Sequence, residues 1–183
     1  MSEKNPFQLL DTKDVYSNPW IHVVEHKVIT PGGKPGIYGV VRFKNRAIGV
    51  VPYENGRIWL VGQYRVPLGE YSWEIPEGGA PYSEDPLAGA KRELREEMGF
   101  AAHSWDLLFK MHLSNSVTNE EAIVYLARRL EKGAPLPEDT EVFKYKSLTL
   151  DEAFTQVVEG KITDSMTVAA IFRIKLMKVE GSL

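Results

Sequence analysis

Residues 78–100 read GGAPYSEDPLAGAKRELREEMGF, and the end of this stretch carries charge where a helix tolerates it least. Asp85 is a suitable N-cap, Pro86 suits the first helical position, and Gly99 suits a left-handed stop, so the spacing predicts a helix over 85–98. Leu87, Ala90, Leu94 and Met98 supply its apolar stripe. Glu93, Glu96 and Glu97 crowd the last turn, at the negative end of the macrodipole. Glu93 and Glu97 are four residues apart, so they share a face and repel one another. Leu87 and Leu94 point elsewhere, so these carboxylates are expected to stand clear of the core. Carboxylate oxygens clustered on a rigid element suit a hard divalent cation such as Mg²⁺. A plainer reading competes: Lys91, Arg92 and Arg95 interleave with the acids, Arg92 and Glu96 form an i,i+4 pair, and a solvated salt-bridge face has the same composition.

Outward from this helix the chain is rich in strands. Asn55-Gly56 separates two apolar runs, 46–53 and 57–64, and both residues tolerate positive φ, so a hairpin is expected there. Strands are also expected at 20–30, 37–43, 107–113, 122–127 and 142–147, with a short extended piece at 71–76. The first residues, MSEKNPFQLLDTKD, read as a polar lead-in, and 131–140 as an acidic loop. Thr149-Leu-Asp-Glu152 forms a capping box opening a helix that stops at Gly160, and a last amphipathic helix spans 164–178. Many strands with one central and two late helices argue for an α+β or sandwich layout and against regular βαβ alternation.

The 183 residues suffice for one domain with a sizeable core. A net charge of −3 provides no basic field for a nucleic-acid backbone. With no cysteine, disulfides, thiol nucleophiles and Cys-based zinc sites are excluded. Apolar runs are too short for a membrane span, and the N-terminus lacks the apolar region of a secretory signal, so the cytoplasm is the expected compartment.

Spacing decides between the two readings of the acidic helix. Gly78, five residues, Glu84, seven residues, then Arg92-Glu93-Leu94-any-Glu96-Glu97-any-Gly99-Phe100 matches the complete box of the Nudix hydrolases. A chance match is on the order of 10⁻⁷, taking each fixed residue type at roughly 6% usage. The resemblance implies an α/β/α sandwich around a mixed sheet, with the box forming loop–helix–loop. It also implies hydrolysis of a nucleoside diphosphate linked to a further moiety, with Mg²⁺ or Mn²⁺. By the same resemblance Glu93 and Glu97 are the principal metal ligands and Glu96 a third. Glu77 adds its carbonyl oxygen, and Arg92 orients the glutamates. Glu138 and Glu141, on the 131–141 loop, are the candidates for the base that takes the water proton.

Beyond the box, Val61-Gly-Gln-Tyr-Arg65, Tyr71-Ser-Trp-Glu-Ile-Pro-Glu-Gly78 and Gly160-Lys-Ile-Thr-Asp164 resemble the ADP-ribose pyrophosphatase and nucleoside diphosphate sugar hydrolase branch. This resemblance implies that Arg65 clamps the diphosphate and that Trp20 and Tyr38 sandwich the base. It further implies a homodimer, with residues 1–45 forming an N-terminal β region that crosses to the partner and 46–183 the hydrolase domain. Glu74 either touches metal or substrate or caps a strand end. The branch usually has a Ser-Pro-Gly-like segment after the strand following the box. Here Ser114-Asn115-Ser116 stands instead, which suggests a relaxed choice of sugar, GDP-mannose as well as ADP-ribose, with Ser114 and Asn115 bonding sugar hydroxyls. The alternatives are a hydrolase of dinucleotides (NADH or diadenosine polyphosphates) and a nucleotide-sensing domain without turnover. The intact glutamates weigh against the sensor, and the acidic balance weighs against an RNA-decapping module.

Overall fold

The computed structural model describes residues 4–134 and 143–183. Strands β1 (Gln8–Ser17), β2 (Ile21–Ile29) and β3 (Pro35–Phe43) form an antiparallel sheet in that order. A seven-stranded mixed sheet follows. It is built from β4 (Asn45–Glu54), β5 (Arg57–Arg65), β6 (Glu70–Glu74), β7 (Glu77–Pro81), β8 (Phe100–His112), β9 (Glu121–Lys132) and β10 (Lys144–Thr149). Its main path runs β10-β5-β4-β9-β8, with β6 paired to β5 and β7 to β4. Among the described strands only β4 and β9 pair in parallel; their register sets Ile48 beside Ile123 and Val50 beside Tyr125. The Asn55-Gly56 turn takes φ values of 51° and 76°, as an Asn-Gly hairpin requires.

The sheet is covered on both faces, and side-chain alternation decides which residue goes where. Ile48, Val50, Ile123 and Ala127 point to one side, where α1 (Pro86–Met98) lays down Ala90, Leu94 and Met98. Val51, Ala122, Val124 and Leu126 point to the other, beneath α2 (Leu150–Val158) and α3 (Ser165–Glu180). The result is the α/β/α sandwich the box implies. The three caps form as the sequence suggests: the Asp85 carboxylate accepts from the Ala88 amide, Thr149 and Glu152 close a capping box, and Gly99 ends α1 at φ 68°.

Two readings are corrected. The polar lead-in is mostly strand: β1 is exposed along its whole length, so it carries none of the alternation by which strands are recognised. The box carboxylates are not clear of the interior. Glu93 is 7% exposed and Glu97 2%. They lie on the flank of α1 that meets β7, where a backbone amide and a guanidinium supply the donors that burial demands. Strands β8 and β9 also outrun their expected limits, because their polar ends are held by pairing to each other and not by burial.

Candidate functional site

Pairing of β4 with β7 sets Gly78 opposite Ile48 and Glu77 opposite Gly49, which fixes the start of the box against the centre of the sheet. The chain then turns into α1, which packs back onto β7; a Cβ on Gly89 would lie 3.0 Å from Ala80 Cβ. This close approach drives the Glu93 carboxylate under Gly78, where a Cβ would come within 2.3 Å of it. The Glu77 amide donates to Glu97 Oε2 at 3.2 Å. Loop and helix are thus joined through the two glutamates that share a face.

Arg92 ties the rest together. Its guanidinium donates to Glu93 Oε1 at 2.7 Å, Glu96 Oε2 at 3.0 Å, the Gly79 carbonyl at 3.0 Å and Glu84 Oε2 at 3.3 Å. Burial disfavours its charge, but Glu93 and the bonds to Glu84, Glu93 and Glu96 outweigh that and hold its pKa above the ordinary arginine value. Each fixed polar side chain of the box therefore has a geometric task, and the solvated-face reading fails for the buried Glu93 and Glu97, whereas Glu84, Arg92 and Glu96 are half-exposed.

A second acidic group adjoins the first. Glu74, Glu77 and Asp164 each place a carboxylate oxygen within 4.8 Å of the others. The Ile75 amide donates to Thr167 Oγ1 at 2.9 Å and draws the first turn of α3 to this point. Arg65 Nε contacts both oxygens of Glu74 at 2.9 and 3.0 Å, and its Nη2 reaches Glu77 Oε1 at 2.7 Å. Among the described residues, Glu77 Oε2 is buried with no hydrogen-bond partner. Burial, then Asp164, Glu74 and Glu97, push the Glu77 carboxyl well above the ordinary glutamate range, and Arg65 only partly opposes them. Oxygen-only donors, an orphaned buried oxygen and a surplus of carboxylates fit a hard divalent cation.

Arg65, Glu77 and Asp164 open into a cleft of about 370 Å³, lined also by Trp20, Phe43 and Arg46. Trp20 stands at its rim, 67% exposed. Tyr38 does not face the cleft within the chain: its ring packs edge-on against Phe7 and its hydroxyl donates to the Ser116 carbonyl at 2.8 Å. Ser114 and Asn115 are exposed and do not line it; Leu113 and Glu120, at the two ends of their loop, do. Glu138 and Glu141 lie outside the described residues. Sequence reading missed Phe43, Arg46, Glu120 and Asp164. Asp164 stood in the sequence only at the end of the Gly160–Asp164 segment and the start of the last helix; in the fold it caps that helix, accepting from the Thr167 amide at 2.7 Å.

Carboxylates buried on a loop–helix unit and held by an arginine, beside a cleft that Glu77, Gly78 and Gly79 line, define a hydrolase of the box-glutamate kind. The NUDIX domain family matches residues 43–166, and the chain belongs to the Nudix family. Residues 7–41 match the nucleoside diphosphate sugar hydrolase N-terminal domain. The chain is 33% identical over 173 residues to the methanol dehydrogenase activator of Bacillus methanolicus, covering 92% of each. It is 29% identical to the ADP-ribose pyrophosphatase of Mycobacterium tuberculosis, covering 93% of this chain and 84% of that protein. The ADP-ribose pyrophosphatase of Bacillus subtilis is also 29% identical, over 90% of each. In three dimensions the fold matches the crystal structure of an ADP compounds hydrolase at a TM-score of 0.86, 20% identity and full coverage of both chains. Among the described residues no helix is long and apolar enough to cross a membrane.

Proposed function

We propose that this chain hydrolyses the pyrophosphate bond of nucleoside diphosphate sugars, ADP-ribose and also GDP-mannose, to a nucleoside monophosphate and a sugar phosphate. Glu93 and Glu97, with Glu96 and the Glu77 carbonyl, would hold Mg²⁺ or Mn²⁺. Such an ion neutralises the diphosphate and lowers the pKa of a water that attacks phosphorus. The observation that carries the reading is the Glu93 carboxylate seated under Gly78 and held by Arg92, with the Glu97 carboxylate accepting from the Glu77 amide of the same loop. As water oxygen bonds to one phosphorus, the bridging P–O bond breaks and its electron pair leaves on the departing phosphate. The proton passes to a carboxylate, for which Glu138 and Glu141 are our candidates. Trp20, exposed at the rim of the cleft, would stack on the base, and Arg65 would steady the acids that face the diphosphate.

Residues 1–45 we assign to dimerisation. β1 exposes Leu9, Leu10, Val15 and Tyr16, which a second copy would cover, and such a homodimer would bring Tyr38 to the neighbouring site. Action in the cytoplasm fits a chain without cysteine.

The test is a panel of ADP-ribose, GDP-mannose, NADH and diadenosine tetraphosphate with Mg²⁺ or Mn²⁺, comparing wild type with Glu97→Gln. The sugar nucleotides should be cleaved by wild type and at least ~100-fold more slowly by the variant. Equal product release by both proteins ends the assignment, and faster cleavage of the dinucleotides moves it to that class. The Bacillus methanolicus relative favours a second reading, in which the chain raises the turnover of a dehydrogenase. Adding wild type and Glu97→Gln to a methanol dehydrogenase tests it.

A further inference from the structure

The sequence offers Lys91 and Arg95 as partners for the acids of the box, yet in the fold neither side chain makes a hydrogen bond or ion pair among the described residues. Of the cations on α1, Arg92 alone reaches an acid. Helix geometry keeps the other two away from the box. Lys91 and Arg95 stand two positions either side of Glu93, and at roughly 100° per residue each lies about 160° round α1 from it. Both are exposed, and like charges four residues apart repel. The negative end of the helix dipole favours Arg95, in the last turn, but not Lys91. Between this flank and β8 runs a groove of about 690 Å³, which shares no lining residue with the cleft described above. Phe100, Ala102 and Trp105 line it from β8. Glu96 also lines it, but its charge is met by Arg92 at 3.0 Å and does not cancel those of Lys91 and Arg95.

The two walls of the groove ask for different things. Lys91 and Arg95 bring two unmatched positive charges, and a guanidinium and an ammonium together suit a phosphate monoester, which carries close to two negative charges at neutral pH. Trp105 has no donor left to give: its indole N–H donates to the Ala102 carbonyl at 3.0 Å, and its ring packs edge-on against Tyr125. What it still offers the groove is carbon surface, which suits a flat ring. A bare phosphate leaves the indole uncovered, and an uncharged ring leaves the cations unmet. The volume is of the size that holds one small molecule. A nucleic-acid strand would need cations continuing beyond the groove, and a chain of net charge −3 provides no such track. We infer that this groove is a second nucleotide site, which holds the phosphate of a nucleoside monophosphate between Lys91 and Arg95 and its base against Trp105. The site lies apart from the hydrolytic cleft, and the inference does not rest on the hydrolytic reading.

Calorimetry in EDTA, where the acid-lined cleft has no cation to attract a phosphate, would titrate adenosine monophosphate, adenosine and inorganic phosphate into wild type, Lys91→Ala/Arg95→Ala, Trp105→Leu and Trp20→Ala. Wild type should bind the monophosphate at one site, and each of the other two probes at least about tenfold more weakly. The Lys91→Ala/Arg95→Ala variant should lose at least about tenfold in affinity for the monophosphate, and Trp105→Leu a similar amount. Trp20→Ala, which changes only the hydrolytic cleft, should bind as wild type does. Lys91 and Arg95 are exposed, so their double variant should melt within about 2 °C of wild type and carries the test even if Trp105→Leu folds poorly. With Mg²⁺ restored it should cleave ADP-ribose within about threefold of the wild-type rate. No binding by wild type, loss on Trp20→Ala with none on Lys91→Ala/Arg95→Ala, inorganic phosphate bound as tightly as the monophosphate, or a single-stranded oligonucleotide bound tenfold more tightly than it overturns the inference. If wild type cleaves no sugar nucleotide yet binds the monophosphate through Lys91 and Arg95, the hydrolytic reading falls and this one stands.

Discussion

Replacing Gly78 by alanine adds one methyl group where the Glu93 carboxylate now sits. The added carbon would lie 2.3 Å from the carboxylate carbon and from Oε2, whereas ordinary contact begins at 3.4 Å, so Glu93 must retreat by about 1 Å. Gly78 is not among the glycines with positive φ, so the backbone accepts alanine without strain. The carboxylate is the mobile end of its side chain, which keeps the cost to the fold near the low end of the ~1–3 kcal/mol seen for overpacking. That is a drop of roughly 2–4 °C in Tm for a chain this long. Function is far less tolerant. A 1 Å misplacement at reacting groups costs on the order of 100-fold, or ~2.7 kcal/mol in kcat/KM. The Arg92–Glu93 bond of 2.7 Å would be stretched with it. The assays are Mn²⁺ titration, ADP-ribose hydrolysis and thermal melting on Gly78→Ala, Glu93→Ala and the double variant. Expected are a small fall in Tm, a large fall in activity and weaker Mn²⁺ binding. The double variant should match Glu93→Ala alone, because the methyl then meets nothing. If the two substitutions cost activity additively, or if Gly78→Ala keeps activity within about threefold, the proposed seat for Glu93 does not exist.

Two further outcomes follow from the charges and the rings. The folded state raises the Glu77 pKa, so between the ordinary glutamate value and the raised one it holds a proton the unfolded chain has released; stability therefore falls as pH rises through that window. Glu77→Gln in EDTA should melt like wild type below about pH 4 and progressively above it as pH rises; a pH-independent difference, or a less stable variant at neutral pH, refutes this. Trp20→Ala should raise KM for ADP-ribose about tenfold with little change in kcat, the scale of one lost base–aromatic stack, and an unchanged KM removes Trp20 from the site.

The box was legible because its residues are fixed by local geometry: Asp85, Gly99 and the glutamate spacing act within one helix and its caps. The Asn55-Gly56 hairpin was legible for the same reason. Burial of Glu93 and Glu97 was not, since helix periodicity says which face a residue occupies and not that β7 will rise to meet that face. Nor was β1 readable, because an exposed edge strand has no apolar alternation to display. Asp164 shows the limit best. It comes from the far end of the chain to within 4.8 Å of Glu74 and Glu77 through a single bond from Ile75 to Thr167. Only the assembled sheet and third helix create that neighbourhood; in the sequence Asp164 stood only at the end of the Gly160–Asp164 segment, where the last helix begins.

Arg65 bears on how the two acidic groups divide their work. Guanidinium recognition of phosphate is strongest when two parallel N–H groups face it. In this site the Nε/Nη2 edge of Arg65 is committed to Glu74 and Glu77. Burial opposes its charge, yet the bond to Glu74 and the charges of Glu77, Glu74 and Asp164 hold its pKa above the ordinary arginine value, so the guanidinium stays charged and in place. A two-pronged grip on the diphosphate would leave Glu74, 2% exposed, without its cation, and breaking a buried pair costs several kcal/mol. The economical arrangement keeps Arg65 on the acids and leaves Nη1, which makes no bond among the described residues, for one contact to a phosphate oxygen. The surplus of carboxylates would then fall to a divalent cation to neutralise, and the same surplus that weakens the metal-free fold at neutral pH would favour a cation there.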